Sequence, residues 1–161
     1  VNIGASGSDF AVITKGELTA SRTINTGGIA LTRAVATELG LETLQAEEYK
    51  NTYGMDPNQL SGSVAKAMAP VMDLILAELK RVLLTVSNSN PADDLLVKRI
   101  VISGGSALIP GMVSYLAQQL SAEVIVGNPF AQIERSPSQI AAIGESSVIF
   151  TNAVGLALKE I

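Results

Sequence analysis

Two runs within the first 25 residues read as strands. Phe10, Val12 and Thr14 interleave with Ala11 and Ile13, and Leu18, Ala20, Arg22 and Ile24 repeat the period after Lys15-Gly16-Glu17. A period of two marks strands with one face buried, and a short glycine-containing break between two such runs marks a hairpin turn. Val1 to Ile3 reads as the end of an earlier strand, so a three-stranded meander is predicted. The small polar loop Gly4-Ala5-Ser6-Gly7-Ser8, closed by Asp9, lies between its first two strands. The period lengthens after Asn25-Thr26-Gly27-Gly28. Thr26 is a candidate helix cap, Leu31, Ala34, Val35 and Leu39 mark one helical face, and Gly40 is a natural stop. A second helix is predicted over about 43–53. Over 63–86, Val64, Met68, Val71, Met72, Ile75, Leu79, Val82, Leu83 and Val86 recur at spacings dominated by three and four, which predicts a long amphipathic helix. Pro70 should kink this helix or mark its start, and Met68 and Met72 are core filler.

After a connecting loop at 87–94 with Pro91, Ile100, Val101 and Ile102 form an unbroken apolar run. Such a run predicts a strand buried on both faces, as in a parallel sheet. It ends in Ser103-Gly104-Gly105-Ser106, and Pro110 opens a helix predicted over 110–120, with Met112, Val113, Leu116 and Leu120 inward. A strand over 123–126 ends at Gly127-Asn128-Pro129-Phe130. Ser136-Pro137-Ser138 turns into a short helix, and a last helix is expected over 147–159, where Gly155 suggests close approach of another backbone. The plan is β-β-β, two helices, a long returning helix, then β-α-β-α-α: an α/β domain with a mixed sheet flanked by helices and a small helical insertion. In open α/β sheets, ligands bind where strands end in such glycine turns, although Gly104-Gly105 is also what a tight connection needs.

Composition narrows the chemistry. The 161 residues suit one domain or two small lobes, and 47% hydrophobic with 16% charged residues suits a packed core. The net charge of -4 argues against a general nucleic-acid binder. There is no Cys and no His, which removes thiolate sites, the commonest general base and the usual zinc ligand. No uninterrupted apolar run reaches the length of a membrane span. The chain begins without Met, within a strand, so it is expected to be the second part of a longer protein.

Three motifs, in order, resemble the second half of an actin-like ATPase, the ribonuclease H-like fold of actin, sugar kinases and heat-shock chaperones. Asn2-Ile3-Gly4-Ala5-Ser6-Gly7-Ser8 is similar to the family's second phosphate loop, Asp-Ile-Gly-x-x-x-Thr. Glu47 and Lys50 match a helical Glu-x-x-Lys, and the apolar strand ending in Gly104-Gly105 matches the adenosine motif. Taken alone, Glu47 and Lys50 would be a solvated helix pair worth a few tenths of a kcal/mol. Within the superfamily the chain resembles the PilM-type proteins of type IV pilus assembly. Gly27-Gly28 with Leu31-Thr32, Ala46 to Gly54, Ile109-Pro110-Gly111, Asn128-Pro129-Phe130, Ser136-Pro137 and Gly155-Leu156-Ala157-Leu158 carry this likeness.

The resemblance implies a subdomain of residues 1–25 and 87–161, with 26–86 as insertion and returning helix. It implies ATP with Mg²⁺ in a cleft between two lobes, of which this chain supplies one wall. Gly4, Ala5, Ser6, Gly7 and Ser8 would hold phosphates. Gly27 and Gly28, Glu47 and Lys50, and Gly104, Gly105 and Ser106 would hold the rest of the nucleotide. Asn2 stands where the family has an Asp that holds the ion through water; an amide is a poorer partner for a hard cation, so weak or absent hydrolysis is expected. The implied partner is PilN, an inner-membrane protein whose N-terminal segment docks mainly on the half outside this chain. The implied location is the cytoplasmic face of the inner membrane. Self-association through an uncovered face is expected as well. The alternatives are a filament-forming relative such as FtsA or MreB, and a sugar or acid kinase, which would need a positioned carboxylate base. Asp9 is the carboxylate nearest the loop.

Overall fold

The computed structural model describes residues 1–89, 97, 99–131, 133–134 and 143–159. The turn expected at 136–138 and the loop at 90–94 lie outside the described residues. Strands β1 (Asn2–Ile3), β2 (Ser8–Thr14) and β3 (Glu17–Ile24) form the antiparallel meander. Lys15 and Gly16 both adopt positive φ, 54° and 88°, as a two-residue hairpin turn requires. Strands β4 (Arg99–Ile102) and β5 (Glu123–Val126) pair in parallel. The two pieces meet where Asn2 bridges Ser103. There the Ile3 N–H donates to the Ser103 carbonyl and the Ser103 N–H to the Val1 carbonyl, each at 2.8 Å. The result is a mixed sheet in spatial order β3-β2-β1-β4-β5.

Ile3, Phe10, Ile100, Ile102 and Val124 fill the buried face of this sheet. Helix α3 (Ser63–Ser89) packs on β2 and β3, and helices α1 (Gly28–Leu39) and α2 (Thr43–Tyr53) pack on α3. Val64, Met68, Met72, Ile75, Leu79 and Val82 form its core stripe. α3 starts before Pro70, holds it in its interior and continues to Ser89, past the loop expected from residue 87. Six buried side chains, each worth about 1.5–3 kcal/mol, outweigh the roughly 3 kcal/mol that an interior proline costs. With the 3₁₀ turn before it, Gln59–Val86 is long and apolar enough to cross a membrane by length and composition alone. Here its apolar stripe is the core of the domain.

Several sequence expectations change. β4 is buried on one face only: Ile100 and Ile102 point inward, whereas Arg99 and Val101 are exposed. Ile13, Leu18 and Ile125 are also exposed, so the sheet presents apolar side chains to solvent. Helix α4 (Met112–Leu120) begins after Gly111, whose left-handed φ of 74° caps it; Pro110 stays outside. A Cβ on Gly111 would stand 2.8 Å from the Asp56 amide nitrogen, and the Met55 N–H donates to the Pro110 carbonyl at 2.8 Å. Pro110-Gly111 therefore docks the loop that follows α2. The C-terminal segment is a 3₁₀ turn, Gly144–Phe150, followed by the short helix α5 (Thr151–Ala157), not one long helix. Among the described residues nothing lies within 4 Å of a Cβ on Gly155, so the expected close approach is absent there.

An apolar cavity of about 860 Å³ opens beside β1, between residues 10–15 and residues 99–101 with Val97, and with Leu79, Leu83 and Val86 of α3 behind. None of the motif residues at 4–8, 27–28, 47, 50 or 104–106 lines it.

Candidate functional site

The turn between β1 and β2 is closed by the Gly4 N–H donating to the Gly7 carbonyl at 2.9 Å. It lies against the start of α1. The Gly28 N–H donates to the Gly4 carbonyl and the Ile29 N–H to the Ala5 carbonyl, each at 2.9 Å. Helix N–H groups that usually lack a partner are thus satisfied by the turn. Gly27 is the cap residue and no side chain caps the helix. Thr26 is not the cap; its carbonyl instead accepts the Ser8 hydroxyl at 2.7 Å. Ser8 belongs to β2 and is fully buried, so its hydroxyl braces the base of the turn and does not open to a ligand. Ala5 and Ser6, at the tip, are exposed.

Glu47 and Lys50 do not form a solvated pair. The Lys50 ammonium is buried and donates to the Glu47 carboxylate at 2.7 Å and to the Thr32 hydroxyl at 2.9 Å. It lies 3.5 Å from the Gly28 carbonyl. Thr32 itself bonds the Gly28 carbonyl and the Glu47 carboxylate, and the Asn51 amide donates to the other Glu47 oxygen at 3.2 Å. Burial pushes the Glu47 carboxyl up. The hydrogen bonds from Lys50 and Thr32, the Lys50 charge and the Asn51 amide together outweigh it, and the net shift is downward. Glu47 stays ionised and nearly half exposed, with its oxygens held in place from behind.

Ser103-Gly104-Gly105-Ser106 closes the site from β4. Gly104 has φ 84° and ψ 171°, a conformation open essentially to glycine alone. A Cβ there would stand 2.5 Å from the Ile3 carbonyl oxygen and 2.8 Å from Asn2 Oδ1. Gly105 is the opposite case, with nothing within 4 Å of the place a Cβ would take. The motifs meet at Gly28: the position of its absent Cβ is 3.1 Å from Ser106 Oγ, 3.6 Å from the Gly4 carbonyl oxygen and 3.7 Å from Lys50 Nζ.

The elements expected to hold a nucleotide thus come together, with Ser8 turned inward. Asn2 fits the role expected of it poorly. Its carbonyl oxygen accepts from the Ser103 hydroxyl and its amide donates to Asp9, each at 3.3 Å, so both ends are committed inside the sheet. Sequence reasoning missed Thr32 and Asn51 as supports of Glu47 and the link between Asn2 and Asp9. The last was legible in principle, because the two residues flank one tight turn on alternating strands.

A glycine-braced turn between the first two strands, a buried ammonium behind an exposed carboxylate, and a second glycine turn at the end of a parallel strand define one lobe of an actin-like fold. The family model described as type IV pilus assembly protein PilM matches residues 1–161, and the chain belongs to that family. It is 26% identical to a chain of the PilM-PilN type IV pilus biogenesis complex, with a TM-score of 0.79, over 97% of this chain and 43% of that one. The ethanolamine utilization protein EutJ from Carboxydothermus hydrogenoformans shares the fold at 22% identity and a TM-score of 0.61, over 98% of this chain and 47% of that one. MreB 5 of Spiroplasma citri, bound to AMPPNP, shares it at 15% identity and 0.67, over 98% and 50%. The chain therefore spans about half the length of these proteins or less.

Proposed function

We propose that this chain is one wall of a nucleotide-binding cleft in a longer PilM-type protein that acts as a scaffold of the type IV pilus inner-membrane assembly complex. The observation that carries it is the meeting of the three motifs at Gly28, where a side chain would fill the space between Ser106, Gly4 and Lys50. Glu47, ionised and anchored, accepts hydroxyl groups such as those of a ribose; Lys50 orients it and does not itself turn outward. The exposed tip of the 4–7 turn offers backbone N–H groups to phosphates, and Gly105 leaves room for the nucleoside. ATP, when bound, would supply contacts that link the two lobes. Asn2 itself brings no negative charge to an ion beside the phosphates. In this reading residues 1–25 and 87–161 form the sheet subdomain and 26–86 the insertion with its returning helix. The partner is a PilN-like inner-membrane protein, met mainly through the other half, at the cytoplasmic face of that membrane.

Calorimetric titration of Mg-ATP into the longest natural form of the protein tests the cleft. Micromolar binding is expected, weakened about 10- to 100-fold by Glu47→Ala, the value of a charged hydrogen bond. Absence of binding by the parent would overturn the nucleotide reading and leave the fold assignment intact.

The exposed apolar side chains Ile13, Leu18, Val101 and Ile125, and the cavity beside β1, are proposed to be covered in the longer protein. Residues 1–161 alone are then expected to self-associate, because apolar surface left uncovered drives association. Sedimentation velocity should show oligomers that Ile13→Lys reduces; a monomer at high concentration would count against it.

A further inference from the structure

Asp9 has no place in the site so far, yet it is held with care. It is the cross-strand partner of Asn2 in the β1–β2 ladder, on the outward side of the strand. One carboxylate oxygen accepts the Thr23 hydroxyl at 2.7 Å, and the other accepts the Asn2 side-chain amide at 3.3 Å. A carboxylate can accept about four hydrogen bonds, and these neighbours use two. Asp9 is exposed, so the remaining lone pairs are open to solvent. Asn2 and Asp9 immediately flank the turn that begins at Ile3 and ends at Ser8, and Ser103, which joins Asn2 from β4, leads into Gly104. Among the described residues no group of three or more metal-ligating side chains exists that could hold an ion alone. That is the situation of Mg²⁺ in nucleotide sites: the ion keeps most of its waters and needs one or two carboxylates plus substrate phosphates.

We infer that Asp9, oriented by Asn2 and Thr23, supplies the negative charge that holds a hydrated Mg²⁺ beside the phosphates. Asn2 is the positioning residue and not the ion's partner. The inference rests on the nucleotide reading above and adds the residue that couples nucleotide to metal. The division of labour follows from charge. An amide at position 2 is neutral but can donate, and its donor is spent on aiming the carboxylate across the strand pair.

The test is calorimetric titration of ATP into the longest natural form, once in Mg²⁺ and once in EDTA, for the parent and for Asp9→Asn. The parent should bind ATP more tightly in Mg²⁺ than in EDTA. Asp9→Asn should reduce that advantage about tenfold, the worth of a carboxylate facing a divalent ion across one water at the dielectric of water. Affinity in EDTA should stay the same or rise, because a negative charge near the phosphates is gone. Adding Asn2→Asp to Asp9→Asn should restore the Mg²⁺ advantage by returning a carboxylate to the same strand pair. An Asp9→Asn protein that keeps the parent's full Mg²⁺ advantage would overturn the assignment while leaving nucleotide binding in place. A parent that binds no ATP in either condition would overturn both.

Discussion

Gly104→Ala should cost this domain a large part of its stability, whereas Gly105→Ala, one residue on, should cost almost none. At Gly104 two penalties add. The backbone sits in a region where an L side chain carries about 1–3 kcal/mol of strain. The new methyl would also stand 2.5 Å from the Ile3 carbonyl oxygen and 2.8 Å from Asn2 Oδ1. The carbonyl cannot swing away without disturbing the join between the two halves of the sheet, where the Ile3 N–H meets the Ser103 carbonyl. Overpacking of this kind adds about 1–3 kcal/mol, for roughly 2–6 in total, against the 5–15 that an ordinary domain has. Chemical denaturation would read it as a lower midpoint at unchanged slope. At Gly105 φ is not positive and the space is open, so the change in stability should stay within about 0.5 kcal/mol. If a nucleoside fills that space, Gly105→Ala should nonetheless weaken ATP binding in a protein that folds normally. A stable Gly105→Ala variant with unchanged affinity would place the nucleoside elsewhere.

Gly27→Ala should produce the second large loss. Its φ and ψ are extended and strain nothing; the obstacle is space. The added methyl would meet the Gly4 carbonyl oxygen at 2.5 Å, the Gly7 amide nitrogen at 2.8 Å and the Ala5 carbonyl oxygen at 3.0 Å. All three are backbone atoms of one turn, so relief requires the whole turn to move off α1. That motion breaks the hydrogen bonds from Gly28 to Gly4 and from Ile29 to Ala5 and leaves helix donors without partners. Overpacking at about 1–3 kcal/mol and two hydrogen bonds at about 1 each give roughly 3–5 kcal/mol. The melting temperature should fall by roughly 6–20 °C for a domain of this size. A fall of only a degree or two would mean that the turn is not seated on the helix as described.

Much of the architecture was readable before any coordinates. The period of two before residue 25, the change to helical spacing at Gly28 and the stripe from Val64 to Val86 correspond to the meander, α1 and the core helix. Local periodicity works best at β2, α1 and α3, where one face is buried and burial sorts side chains by polarity. It failed at β4, where an unbroken apolar run suggested two buried faces and Val101 is exposed. Hydrophobicity alone does not say which face has a neighbour. It failed again at Pro110, which stays outside the helix it was expected to open, and at Gly155, where no close approach is found among the described residues.

The site divides along the same line. The chain by itself offered the motifs that resemble a nucleotide site: small residues in the 4–8 turn, the Glu47 and Lys50 spacing, paired glycines after an apolar strand. Only the tertiary structure decided how these residues are placed. It turned the Ser8 hydroxyl inward to Thr26 and buried the Lys50 ammonium behind Glu47. It made Gly104 sterically obligatory while leaving Gly105 open, and it tied Asn2 to Asp9 and Ser103. Each of these turns on atoms far apart along the chain, such as Ile3 against Gly104 and Gly28 against Ser106. Spacing along a sequence encodes which face a side chain is on; which distant backbone it meets is settled only when the sheet closes and the helices pack onto it.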